Sequence, residues 1–189
     1  MTPGPAWAKK QAMAFSSRPL FDPFLPAESR GDILPLERLD AELARTGLSY
    51  WRSLKAGKAM PARASMMSCL SPQMRAQSVL IEVVARGDDY EHRFVGADMT
   101  RAFQSDFTGK RLSALVDDFP KFGLSLRMVY EMVRASGEPL GYRGWVGNDL
   151  PGAAFVYHES VILPLGEDGV VDHLLAITVL VLRGENTVA

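Results

Sequence analysis

SVLIEVVARGDDYEHRFVGADMTRAFQSDFTGKRLSAL, residues 78–115, decides the fold, because a strand hairpin in it runs straight into short helices. Residues 78–85 are short, apolar and β-branched, as a buried strand requires, and Gly87-Asp88-Asp89 supplies turn chemistry before a second run, residues 90–95. Side chains alternate along a strand, so Tyr90, His92 and Phe94 are expected on one face and Glu91, Arg93 and Val95 on the other. Gly96 ends this pattern. Met99, Ala102 and Phe103 then return a helical spacing, and Thr108-Gly109 precedes a further short helix carrying Leu112 and Leu115.

Toward the C-terminus, Asp117-Asp118-Phe119-Pro120 reads as the start of a longer helix, with carboxylates favoured at the positive end of the backbone dipole. Phe122, Leu126, Val129 and Val133 make its apolar stripe, with Met128 and Met132 beside them, and Gly137 followed by Pro139 is its stop. Three strands follow at residues 140–147, 153–165 and 170–182, separated by turns at 148–152 and 166–169. The last strand is apolar on both faces, so something must cover both sides.

Toward the N-terminus, residues 35–54 read as a helix capped by Asp32, with a Leu36, Leu39, Leu43 stripe, a bend at Gly47, and Tyr50, Trp51 and Leu54 beyond it. Pro61 and Pro72 break the connector behind it, where Met66, Met67, Leu70 and Met74 are apolar. Residues 1–34 hold Pro3, Pro5, Pro19, Pro23 and Pro26, and their aromatics follow no period, which predicts an extended or disordered arm. The chain thus divides into an arm (1–34), an N-terminal helix with connector (35–76) and one sheet-bearing domain (77–185).

The full chain has 189 residues and a formal net charge of -1, enough for one domain and without bulk attraction for a nucleic acid. Cys69 is the only cysteine, which excludes an intrachain disulfide and a cysteine-built metal site; it is expected as a small buried hydrophobe in a cytoplasmic protein. The longest apolar run, residues 174–182, falls far short of the roughly 20 residues a membrane helix needs, so no membrane insertion is expected. Lys9 and Lys10 have no apolar block behind them, which speaks against a secretory signal.

Two strands, short helices, one longer helix and three strands make the order of a PAS domain. Tyr50-Trp51-Arg52-Ser53-Leu54, Met60-Pro61-Ala62-Arg63, Phe94-Val95-Gly96, Thr108-Gly109-Lys110 and Leu163-Pro164-Leu165 with Asp168-Gly169 resemble the signature of a stand-alone proteobacterial PAS subfamily, over residues 48–182. The resemblance implies an α+β fold, a five-stranded antiparallel sheet with helices on one face, here with an N-terminal helical extension. It also implies a non-catalytic sensor or adaptor in signal transduction, acting on a partner such as a histidine kinase or regulator. No catalytic residues come with it.

Chemical sites were weighed against this. Haem-binding PAS domains hang iron on a histidine of the long helix, whereas residues 120–136 contain none and His92, His158 and His173 fall on expected strands; no haem or other metal site is expected. Cys69 lies upstream of the first strand, which speaks against a covalent flavin. Gly109-Lys110 is followed by Arg111, so it is no phosphate loop, and Ser125 sits inside a helix, so it is no nucleophile. A small-ligand pocket between sheet and helices would be lined by Phe94, Met99, Phe103, Met128, Tyr130, Met132, Tyr142 and Trp145, with His92 and Arg127 as polar anchors; a filled core is the plainer alternative. An enzyme using that pocket is the competing function, and a buried carboxylate such as Glu82 or Glu159 facing the pocket would be its mark. Leu36, Leu39, Leu43 and Trp51 are expected to form an interface, either covering the chain's own sheet or joining a homodimer.

Overall fold

Both apolar faces of the last strand are covered, each by a different group of helices. The computed structural model describes residues 29–147 and 152–182. In chain order they form β1 (Arg30–Leu34), α1 (Glu42–Lys55), α2 (Arg63–Cys69), α3 (Pro72–Ala76), β2 (Ser78–Val84) and β3 (Asp89–Val95). Then come α4 (Ala97–Phe103), α5 (Leu112–Asp118), α6 (Pro120–Ser136), β4 (Leu140–Trp145), β5 (Phe155–Glu167) and β6 (Val170–Leu182). Among the described residues the strands make one antiparallel, six-stranded sheet in the order β1-β4-β5-β6-β2-β3. The protein is therefore α+β, with one strand more than the five expected.

One sheet face carries Leu80, Val161, Leu163, Leu165, Leu175 and Ile177, and α1, α2 and α3 cover it with Leu48, Trp51, Met66 and Met74. The other carries Val79, Ile81, Ile162, Leu174 and Ala176 beneath α4, α5 and α6. This corrects the expectation of helices on one face. A central strand apolar on both sides cannot leave one side in water, and the N-terminal helices supply the second cover. Leu39 and Trp51 are 2% exposed and, with half-buried Leu36 and Leu43, pack into the chain's own core.

The N-terminal region departs from expectation in three places. Residues 30–34 are a strand paired with β4, not an arm, while residues 1–28 lie outside the described residues. Asp32 lies in β1, where its carboxylate is 3.7 Å from Arg143 Nε, and caps no helix. After a short turn at Leu36–Arg38, α1 starts only at Glu42, and its N-terminus is satisfied from a distance: Ala41 N donates to Glu159 Oε1 at 2.7 Å. Gly47 then lies inside an unbroken helix. A side chain there would collide with Ile177, so this glycine serves close packing on the sheet.

Further along, Asp117 and Asp118 end α5 instead of opening α6, which begins at Pro120. Cys69, expected inside, is exposed. In the hairpin, residues 80 and 81 of β2 face Phe94 and His92 of β3, so Arg93 is an extra residue in the ladder. Such a bulge flips everything beyond it to the opposite face. Phe94 consequently joins the α1 side of the sheet with Leu80, and Val95 takes its place beside Tyr90 on the α6 side.

Candidate functional site

Between the α6 side of the sheet and α4, α5 and α6 lies a cavity that opens to solvent on one side. Four phenylalanines make much of its wall, with Phe103 at their centre: its ring centroid is 4.9 Å from Phe155, 5.3 Å from Phe107 and 5.7 Å from Phe122. Met99, Leu115, Leu126, Ile162 and Leu180 add to the apolar surface, together with Val79, Val95 and Ala176. Among the described residues no aspartate, glutamate, lysine or arginine lines it.

The polar atoms that do reach it are neutral. His92 lies at the bulge, held by the Thr108-Gly109-Lys110 turn: Gly109 N donates to His92 O at 2.7 Å, and His92 N to Lys110 O at 3.0 Å. Its Nδ1 is 2.9 Å from the same Lys110 carbonyl, which can only accept, so Nδ1 carries the proton and Nε2 is left as an acceptor. Burial holds its pKa below the ordinary histidine value, against the opposing pull of that carbonyl and of Asp89 and Glu91. His158 stands on β5 over Gly144 of β4, where a side chain would collide with the imidazole. Burial lowers its pKa to about 4. Its Nδ1 is 3.3 Å from Ser160 Oγ, which is 2.9 Å from Thr178 Oγ1, so a short polar chain runs across two strands. Tyr130, 4% exposed, has a pKa raised by burial and by Tyr90, and its hydroxyl makes no hydrogen bond among the described residues.

Of the residues expected in the pocket, His92, Met99, Phe103, Tyr130 and Tyr142 come together in it. Phe94 does not, because of the bulge. Nor do Met128 and Met132: α6 buries Gly123, Val129, Tyr130 and Val133, which turns these methionines outward, 50% and 40% exposed. Arg127 is no anchor either, since it lies 3.5 Å from Asp89 and donates to Asp88 O at 3.2 Å on the hairpin side. Hydrogen bonds from Ser113 and Tyr90, helped by Arg127, hold the Asp89 carboxyl below its usual range although burial works the other way. Trp145 lines a neighbouring recess, together with Ser29, Arg30, Lys121 and Ser125. No family model, curated protein or solved structure matches the chain.

Sequence reasoning missed Phe107, Phe155, His158, Ser160 and Thr178. The signal was present for three of them, because 158, 160 and 162 alternate onto one face of β5, opposite Thr178 and Ala176 of β6. The carboxylates named as marks of an enzyme lie elsewhere: Glu82 pairs with Arg93 on the hairpin, and Glu159 is buried at the start of α1. Among the described residues no three histidine, cysteine, aspartate or glutamate side chains converge as a metal site, and no helix is long and apolar enough to cross a membrane.

Proposed function

We propose that this chain is a non-catalytic sensory module of the PAS type, whose signal is occupancy of the cavity by a small, largely apolar molecule. The observation that carries it is the wall itself: aromatic, closed over by three helices, and supplied with a few neutral hydrogen-bonding groups instead of ions. The element order from β2 onward, two strands, short helices, a long helix and three strands, is the order expected of that class. With both named carboxylates outside the cavity, the competing enzyme lacks its discriminating feature.

Output through a partner chain, a histidine kinase or comparable regulator, is supported by the two sides of α6. Its inner side lines the cavity with Phe122, Leu126 and Tyr130, while its outer side exposes Leu124 and Met128 to half or more of their area. Movement of one side on ligand entry moves the other. Native mass spectrometry of freshly purified, undialysed protein tests the cavity, with Ala176→Phe as the filled control. A bound small molecule present in the wild type and absent from a folded Ala176→Phe supports the proposal. A protein that carries nothing and gives no fluorescence gain with 1-anilinonaphthalene-8-sulfonate or 2-naphthol overturns it.

A further inference from the structure

The recess beside the cavity differs from it in charge. Four side chains, Phe122, Leu126, Tyr142 and His158, serve as walls of both, so the two spaces lie side by side. The inner space has no charged wall, whereas the recess has Arg30 and Lys121. Arg30 stands on β1, opposite Trp145 of β4, with its guanidinium carbon 4.8 Å from the centre of the indole ring. Arg143 stacks on the same indole at 5.4 Å, but its charge is shared with Asp32. Arg30 makes no ion pair among the described residues. The first turn of α6, with Lys121 and Phe122, also faces the recess, and its backbone dipole favours negative charge there.

These two spaces together select for a molecule with two ends. An anion placed in the inner cavity would lose its hydration and find only neutral imidazoles and hydroxyls, which makes that site costly for any ion. An apolar chain there replaces water against phenylalanine. In the recess the balance reverses, because a guanidinium placed over an indole still offers its paired N–H groups to a two-oxygen acceptor. Resting on the cavity reading above, we propose that the ligand is an amphipathic monocarboxylate, its apolar chain inside the cavity and its carboxylate in the recess on Arg30. Within the cavity the unpartnered Tyr130 hydroxyl would favour a chain carrying a carbonyl or hydroxyl group.

Isothermal titration of the full chain at pH 7 and low salt, with straight-chain carboxylates of six, eight and ten carbons and with 1-octanol, tests this. Affinity should rise by about fourfold per methylene until the cavity is full. Arg30→Gln, at a strand position that tolerates glutamine, should weaken octanoate on the order of tenfold, leave octanol unchanged, and be partly rescued by Arg30→Lys. Equal binding of octanoate and octanol, both indifferent to Arg30→Gln, would overturn the carboxylate assignment and leave the cavity reading standing. Failure of all four to bind, together with failure of 2-naphthol, would overturn both.

Discussion

Lowering the pH from 7 to 5 should destabilise this protein through its buried imidazoles. A histidine with a folded pKa below its unfolded value binds fewer protons when folded. Its contribution is therefore complete above the unfolded pKa of about 6.5 and is lost as pH falls through the folded value. With His158 at about 4 in the folded chain, the loss is about 2 kcal/mol between pH 7 and pH 5 and about 3 kcal/mol by pH 4. His92 is shifted the same way by its burial and adds to the loss. Asp89 and Glu131 are shifted downward on balance by their hydrogen bonds and arginine neighbours, so what they contribute disappears only as pH falls below the ordinary carboxylate range.

Urea unfolding followed by circular dichroism at pH 7, 6 and 5 measures this, provided the slope with denaturant stays constant. His158→Phe is the decisive comparison. The new ring keeps most of the volume, between Tyr142 and Phe155, and removes the titration. The variant should lose about 2 kcal/mol less than the wild type over the same interval. Equal losses in the two proteins would refute the view that His158 is held neutral by desolvation.

Three further outcomes are expected. Phe103→Ala deletes the ring at the centre of the four-phenylalanine wall and should cost about 3 kcal/mol in urea unfolding, near the low end for a buried aromatic because one side of the ring already faces the cavity; a cost under about 1 kcal/mol would mean the wall is not packed as described. Trp51→Phe removes the donor 2.6 Å from Pro164 O and should cost about 1 to 2 kcal/mol by the same measurement, with no change in ligand affinity. Leu39→Glu puts a carboxylate where the chain is 2% exposed, so circular dichroism should report an unfolded protein; a well-folded variant would show that Leu39 is not core.

The sheet was readable because short apolar, β-branched runs such as those of β2 and β6, and the turn residues between strands, are local signals. What escaped was set by distant pairing. Whether residues 30–34 are an arm or a strand depends on Gly31 and Gly144 meeting across β1 and β4, with the Tyr142 ring laid over Gly31, and no local pattern records that. The start of α1 was misplaced for the same reason: its cap is Glu159, on β5 more than a hundred residues away. Phe94 was put on the wrong face by assuming unbroken alternation, and one extra residue at Arg93 was enough to reverse it. On α6 the apolar residues outnumber what a single buried face can hold, so periodicity alone did not say that Met128 and Met132 would be the ones left outside.

The short motifs that suggested the fold turn out to do a job different from ligand recognition. β4 pairs with β5 only as far as Ile162, which leaves the backbone of residues 163–167 open on that edge. Pro164, with no N–H to offer, suits such a place, and its carbonyl is taken by the Trp51 indole while Gly166 N donates to Pro61 O at 3.1 Å. Three motifs, around Trp51, Pro61 and Pro164, thus meet to seal one edge. A fourth, Thr108-Gly109-Lys110, pairs with the backbone of His92, and Gly96 of the fifth fits against the carbonyls of Arg75 and Ala76 where a side chain could not. Apart from Val95, whose side chain reaches the cavity only because of the bulge, none of these motif residues lines it. Frame and cavity are thus built from nearly separate sets of residues, so changes at Phe103, Phe155 or His158 can alter what is bound while the joints that hold the sheet stay intact.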